Sequence, residues 1–217
     1  MRLVIKMEKT KLTKGEITRK KILEGAMRVL SIHGEHGMTF EKIAKSCGVS
    51  QPLVVHYFKT RDKIFPALLN YVMDFTLHIT ERAINESQDP RLQLEKYFLV
   101  SIEIIRSQPE VAHFYMTLYY LSCFDKRIAS VNDKLRSEAT ERIAKILKSG
   151  VESGYFVVNP YLGGKVNGLE ATAKMIHNLL TGSILNFISE GTPVYSDQTL
   201  LKILRDFCYR ELSMSSF

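Results

Sequence analysis

The chain has 217 residues, 45% hydrophobic and 24% charged, with a net charge of +7, the composition of an ordinary globular protein with room for a large core. No apolar run approaches the ~18 residues needed to cross a bilayer. The opening Met1-Arg2-Leu3-Val4-Ile5-Lys6 holds too short an apolar patch for a secretory signal, so the expected location is cytoplasmic.

In chain order, the apolar spacing predicts helices throughout, with no sustained alternation of strand type. Ile22, Ala26, Val29 and Leu30 mark one face of a first helix that ends at Gly34 to Gly37. Thr39 is placed to cap a second, Phe40 to Cys47, stopped at Gly48; Ser50 is placed to cap a third, Gln51 to Tyr57. Thr60 is placed to cap a fourth running to about Asn85, with Pro66 inside it, where a kink is expected that is either a static bend or a pivot. Asp89-Pro90 and Gln108-Pro109 open helices to about Ser107 and Cys123. Then come a charged amphipathic helix from Lys126 to Glu152, one from after Gly163-Gly164 to about Ser189, and a ninth from Ser196 or Asp197 to about Leu212. The fold class expected is all-α, with an N-terminal three-helix helix-turn-helix domain over residues 1–61 and a six-helix ligand-binding and dimerisation domain over 62–217.

The charge is unevenly spread. Residues 1–61 carry 13 Lys or Arg against 5 Asp or Glu, whereas the rest carries 17 against 18. One short segment holds all the excess positive charge, which points to a module that meets a polyanion, joined to a body with another task. A merely solvated basic tail would give the same imbalance, so spacing must decide.

The decisive stretch is Met38 to Arg61, MTFEKIAKSCGVSQPLVVHYFKTR. A helix-turn-helix needs a small residue where its two helices cross, a turn tolerant of positive φ, an apolar plug, and a capped second helix with exposed readers. Ala44, Gly48, Val49 and Ser50 fill the first four roles in order. Pro52 falls in the first turn of its helix, where the missing N–H costs nothing.

These residues resemble the TetR family of transcriptional regulators. The matching positions are Ile22, Leu23 and Ala26, then Gly37 and Thr39, Ile43 and Ala44, Gly48-Val49-Ser50, Tyr57-Phe58, and Thr60-Arg61. The close match covers about residues 18–65; beyond it only helix number and length agree. Val55 stands where the family often has Tyr, and Arg61 where it usually has Lys.

The resemblance implies that the helix start at Thr39 sits against a phosphate and that Tyr57 and Arg61 touch the DNA backbone. Gln51, Leu53 and His56 are then candidates for base edges, with Gln suited to adenine and Leu to a thymine methyl. Ser50 is either a cap or a phosphate contact, and Phe58 belongs to the core. The basic lead (Lys6, Lys9, Lys11, Lys14, Arg19, Lys20 and Lys21) is either a further DNA contact or a solvated arm.

In the body, Pro109 to Cys123 is apolar nearly all round, with three tyrosines and His113 as polar handles. That profile suits an effector pocket, or equally a tyrosine-rich core. The resemblance implies that such a pocket is lined from this helix and its neighbours, and the candidates are Phe98, Ile102, Phe114, Tyr115, Leu118 and Tyr119. The last two helices have more apolar residues than one buried face needs, so Ile176, Leu180, Ile184, Phe187, Leu200, Leu204 and Phe207 are expected at a homodimer interface. A twofold dimer requires a palindromic operator.

The expected function is thus a ligand-responsive repressor, bound to double-stranded DNA and released by a small hydrophobic or aromatic effector. No catalytic motif, cofactor or membrane partner is expected. Cys47, Cys123 and Cys208 are spaced for neither disulfides nor zinc and are read as reduced and buried, and His33, Glu35 and His36 as a solvated turn. The rival is a helical binder of lipids or other hydrophobes without a DNA target.

Overall fold

The computed structural model describes residues 13–158, 168–190, 198, 199, 202 and 206, with side chains in the last helix through 183 and at 185. Among the described residues the chain is all-α: α1 (Lys14–His33), α2 (Phe40–Cys47), α3 (Gln51–Phe58), a 3-10 turn (Arg61–Lys63), α4 (Ile64–Asn85), α5 (Pro90–Ser107), α6 (Pro109–Ser122), α7 (Lys126–Glu152) and α8 (Gly168–Glu190). Of the expected ninth helix, the described residues Gln198, Thr199, Lys202 and Asp206 are helical and the rest lies outside them. No helix among the described residues is long and apolar enough to cross a membrane.

The chain forms two compact units, one of residues 1–79 and 108–117, the other of 80–107 and 118–217. The first unit therefore extends past residue 61, the end expected for the DNA-binding domain, taking in most of α4 and the first part of α6.

In the first unit, α1 starts at a capping box. The Glu16 N–H donates to Thr13 Oγ1 at 3.3 Å, and the Thr13 N–H donates to the Glu16 carboxylate at 2.8 Å. Those bonds favour the ionised form and hold the Glu16 carboxyl below its ordinary range. Ile22, Leu23, Ala26, Met27, Val29 and Leu30 are buried at α1's apolar face. At Gly25 the helix is thin enough for Cys47 of α2 to come into direct contact with it, so that even a methyl group there would collide with the sulfur. Arg28 fixes the same crossing, its guanidinium donating to Ser46 Oγ at 3.2 Å and to the Ser46 carbonyl at 3.1 Å. Burial pushes the Cys47 thiol up, away from the reactive thiolate.

Further along this unit, Tyr71 of α4 donates to Glu24 of α1 at 3.2 Å, and the Phe65 and Phe114 rings stack at 5.4 Å. Thr76 and Tyr115 share a hydrogen bond of 3.2 Å between their hydroxyls. The expectation for Pro66 fails. Because a 3-10 turn precedes α4, Pro66 is only its third residue and lies in the first turn, where no intrahelical N–H is lost. Thr60 makes no side-chain cap bond either; its hydroxyl is hydrogen-bonded to the Asp62 carboxylate, which holds that acid below its ordinary range.

In the second unit, Leu94, Tyr97 and Phe98 of α5, Ile143, Ile146 and Leu147 of α7, Phe156, and Ala173, Ile176 and Leu180 of α8 form one buried core. Asp125 caps α7 by accepting from the Arg127 N–H at 2.8 Å, and with the Arg127 guanidinium beside it its carboxyl is held at about 2. Buried Asn132 is satisfied by donating to Ser122 Oγ at 3.3 Å. Cys123 is exposed, contrary to expectation: it falls just past the end of α6, in the turn that leads to α7. Cys208 lies outside the described residues.

Candidate nucleic-acid interface

The site is built on two eight-residue helices. Thr39 accepts from the Lys42 N–H at 3.3 Å and so caps α2, and exposed Lys42 and Lys45 project from that helix. The chain then turns at Gly48, which has φ 63° and ψ 44°, a left-handed conformation that a side chain would strain. The Gly48 N–H returns to the carbonyls of Ala44 and Lys45, and the Val49 N–H to Ala44 at 3.0 Å. Ala44 is 4% exposed, the small residue at the crossing.

Ser50 stands at the cap position of α3 with extended backbone, yet makes no side-chain cap bond. The reason is local. Pro52 removes one N–H that a cap would accept, and the Leu53 N–H is taken by the Ser50 carbonyl at 3.1 Å. Ser50 itself is exposed.

Only Val54 and Phe58 of α3 are buried. Gln51, Pro52, Val55 and His56 are exposed, Leu53 and Tyr57 half-buried, and Lys59 follows, exposed, with φ 60°. This outer face is without a carboxylate from Gln51 to Thr60. Val55 is the residue that sequence reasoning passes over. At 37% exposure it puts an aliphatic side chain on the face that holds Gln51 and His56. The signal is there in the pattern, since Val54 and Val55 cannot both face the core of a short helix.

Tyr57 leans toward the start of α1, its hydroxyl beside Gly15, and its ring meets His56 edge-on at 5.6 Å. Arg19 of α1 lies over the Phe58 ring at 5.8 Å. Arg61 is turned inward to the α1–α2 turn. Its guanidinium donates to the carbonyls of Glu35 and His36, both at 2.8 Å, and lies 4.0 Å from the Glu35 carboxylate. His36 Nδ1 lies 2.6 Å from the same carboxylate, within hydrogen-bond distance. Among the described residues no three acidic, histidine or cysteine side chains gather as a metal site would require.

Of the residues singled out for an effector, Phe114 and Tyr115 belong to the first unit, where they pack on Phe65 and bond Thr76 respectively. Phe98, Ile102, Leu118 and Tyr119 belong to the second, with Phe98 in its core and Ile102 packed against that core. Of those singled out for dimerisation, Ile176 and Leu180 are 1% and 4% exposed inside the same core. The Ile184 and Phe187 side chains, and Leu200, Leu204 and Phe207, lie outside the described residues.

Comparison with known proteins agrees with this geometry. Residues 22–68 match the family model "Bacterial regulatory proteins, tetR family". The HTH-type transcriptional regulator RutR of Escherichia coli K12 is 28% identical over 97 residues, 45% of this chain and 45% of that protein. BetI, an HTH-type transcriptional regulator of Burkholderia ambifaria, is 26% identical over 137 residues, 61% of this chain and 71% of that protein. The chain thus spans about half the length of RutR and more of BetI. A transcriptional regulator from Saccharomonospora viridis, solved in complex with choline, shares the fold with a TM-score of 0.73 at 17% identity, covering 88% of this chain and 95% of that one. The fatty acid degradation regulator FadR from Bacillus halodurans does so with a TM-score of 0.71 at 19% identity, covering 88% and 97%. A helix-turn-helix with a left-handed Gly48, a reader helix buried only at Val54 and Phe58, and a family match across the same residues make residues 22–68 similar to the tetR family of bacterial regulatory proteins.

Proposed function

We propose that this chain is a transcriptional regulator, not an enzyme, that binds double-stranded DNA through α3. The observation that carries the reading is the outer face of α3, exposed and free of carboxylates, in a helix-turn-helix that also exposes Lys42, Lys45 and Lys59. A helix presented in this way fits a major groove, with Gln51, Leu53, Val55 and His56 toward base edges. Thr39, Ser50 and Tyr57 then meet phosphates, together with the α2 N-terminus. Arg61 reaches a phosphate only by leaving the Glu35 and His36 carbonyls, so in the free protein it holds the turn on which the readers depend.

The reading extends to a homodimer on a palindromic operator, acting as a repressor that a small hydrophobic or aromatic effector releases. Half-buried Ile102 and Tyr119 are the first positions to alter in a search for that effector. Release requires the effector to prefer one of two states of the protein, a coupling of typically 1–3 kcal/mol.

Selection of duplexes from a random pool tests the reading. Enrichment of a twofold-symmetric site with half-sites one helical turn apart, or a multiple of it, is the expected result. A pool that shows no enrichment would leave an all-helical binding protein without a DNA target.

A further inference from the structure

In the second unit two buried side-chain nitrogens, one on α7 and one on α8, have no hydrogen-bond partner among the described residues. Arg142 of α7 has its Nε–H buried without a hydrogen-bond partner, and His177 of α8 has its Nε2 buried in the same condition. Both charges that act on the His177 ring are cationic, Arg136 and Arg142, both from α7. Two carboxylates of α7 close to Arg142 in sequence are engaged elsewhere. Glu138, one turn before Arg142, lies 3.9 Å from Lys134, and Glu141 accepts from Ser137 at 3.3 Å. Arg136 lies 3.8 Å from Asp133.

Such an arrangement is costly unless something fills it. A buried donor without an acceptor loses its hydration and gains nothing in return, and two cations beside an imidazole repel the proton that the ring would otherwise take up. Burial and the two guanidiniums hold His177 at about 4, well below its ordinary 6.5. One oxyanion with two accepting oxygens would relieve all of these at once. Its two oxygens can accept from a guanidinium and from a protonated ring, both charge-assisted bonds.

We propose that Arg142 and His177, with Arg136 at their side, form an oxyanion site between α7 and α8 that takes the carboxylate or phosphate of a small molecule. The site is separate from the DNA-reading face and does not depend on it. Occupation makes the ring a donor and carries its titration upward, because the bound charge opposes the two arginines.

The test uses the full chain with histidines labelled at the ring carbon, in chloride buffer of fixed ionic strength, with His177→Gln to assign its resonance. Sodium butyrate and inorganic phosphate are added in separate titrations and distinguish a carboxylate ligand from a phosphate. The expected result is a saturable shift of the His177 resonance with at least one probe in the millimolar range. At saturation its titration midpoint moves from about 4 toward 6.5. Arg142→Met should lose the shift while melting no lower than the parent chain, because the change removes an unpaired donor. No saturable shift with either probe would mean that the cluster holds water alone and would overturn the proposal. A weaker dimer in Arg142→Met, measured by sedimentation, would overturn it too, by assigning the missing acid to a second copy.

Discussion

Gln51, Val55 and His56 are exposed on one short helix, a placement that suits work outside the protein. Replacing Gln51 with Ala should weaken binding to a selected duplex by about 10- to 100-fold, the cost of one bidentate base contact, while leaving the salt slope unchanged. Lys42→Ala should do the reverse. It should weaken all duplexes alike and flatten the slope by ~0.9, the share of one phosphate that is no longer neutralised. Arg61 behaves as a structural clamp: Arg61→Met should cost about 1 kcal/mol in denaturant unfolding and speed amide exchange through residues 35–38, since two carbonyls lose a charged donor at a half-exposed site. Thr39 is legible in sequence because a cap is a matter of three or four neighbouring residues. Ser50 looks like a cap until one further step is taken: Pro52 has already removed a donor. The role of Arg61 cannot be read at all, because its partners lie 25 and 26 residues earlier and are brought near only by the fold.

At the scale of elements, the tightest constraints lie where helices cross. Gly25 to Ala should cost about 1–3 kcal/mol, the usual penalty for overpacking, because the added methyl meets the Cys47 sulfur. Cys47→Ala should recover part of that loss in the double variant, and additivity of the two changes would show that the contact is not the cause. Gly48 to Ala should cost about 1–2 kcal/mol through backbone strain alone, since no atom lies within 4 Å of the added methyl. Most helix boundaries can be read from caps and breakers. For α7 the expected span, Lys126–Glu152, is the observed one, since Asp125 starts it and Gly154 follows its end. Pro66 misleads because a 3-10 turn leaves no strong mark in sequence. Counting from Thr60 puts the proline mid-helix, whereas counting from Ile64 puts it in the first turn.

For the whole molecule, the charge pattern separates a basic head from a neutral body, but it does not show how far the head's compact unit reaches into α4 and α6. Such reach depends on contacts distant in sequence, like Phe65 on Phe114. The same limit applies to α8. Its apolar surplus is real, yet Ile176 and Leu180 are used within their own unit, and periodicity cannot say which of two buried faces meets a partner.

Stability of the whole chain should also report on His177. Its folded value, about 4, lies below the ordinary 6.5, so the folded state resists protonation. The site's contribution is then fully present above about 6.5 and is lost as pH falls toward 4, by up to about 3 kcal/mol. Urea unfolding in chloride buffer should show that decline, and His177→Gln should make it shallower.

The central claim is that α3 reads DNA sequence. Fluorescence anisotropy on a selected duplex and a scrambled one, followed across a salt series for the parent chain and the Gln51→Ala/His56→Ala variant, tests it directly. The parent should prefer the selected duplex by about 10³-fold or more, on the order seen for specific DNA binding. The variant should lose most of that preference on an unchanged salt slope. Equal affinity of the parent for both duplexes, or a variant that keeps the full preference, would contradict the claim.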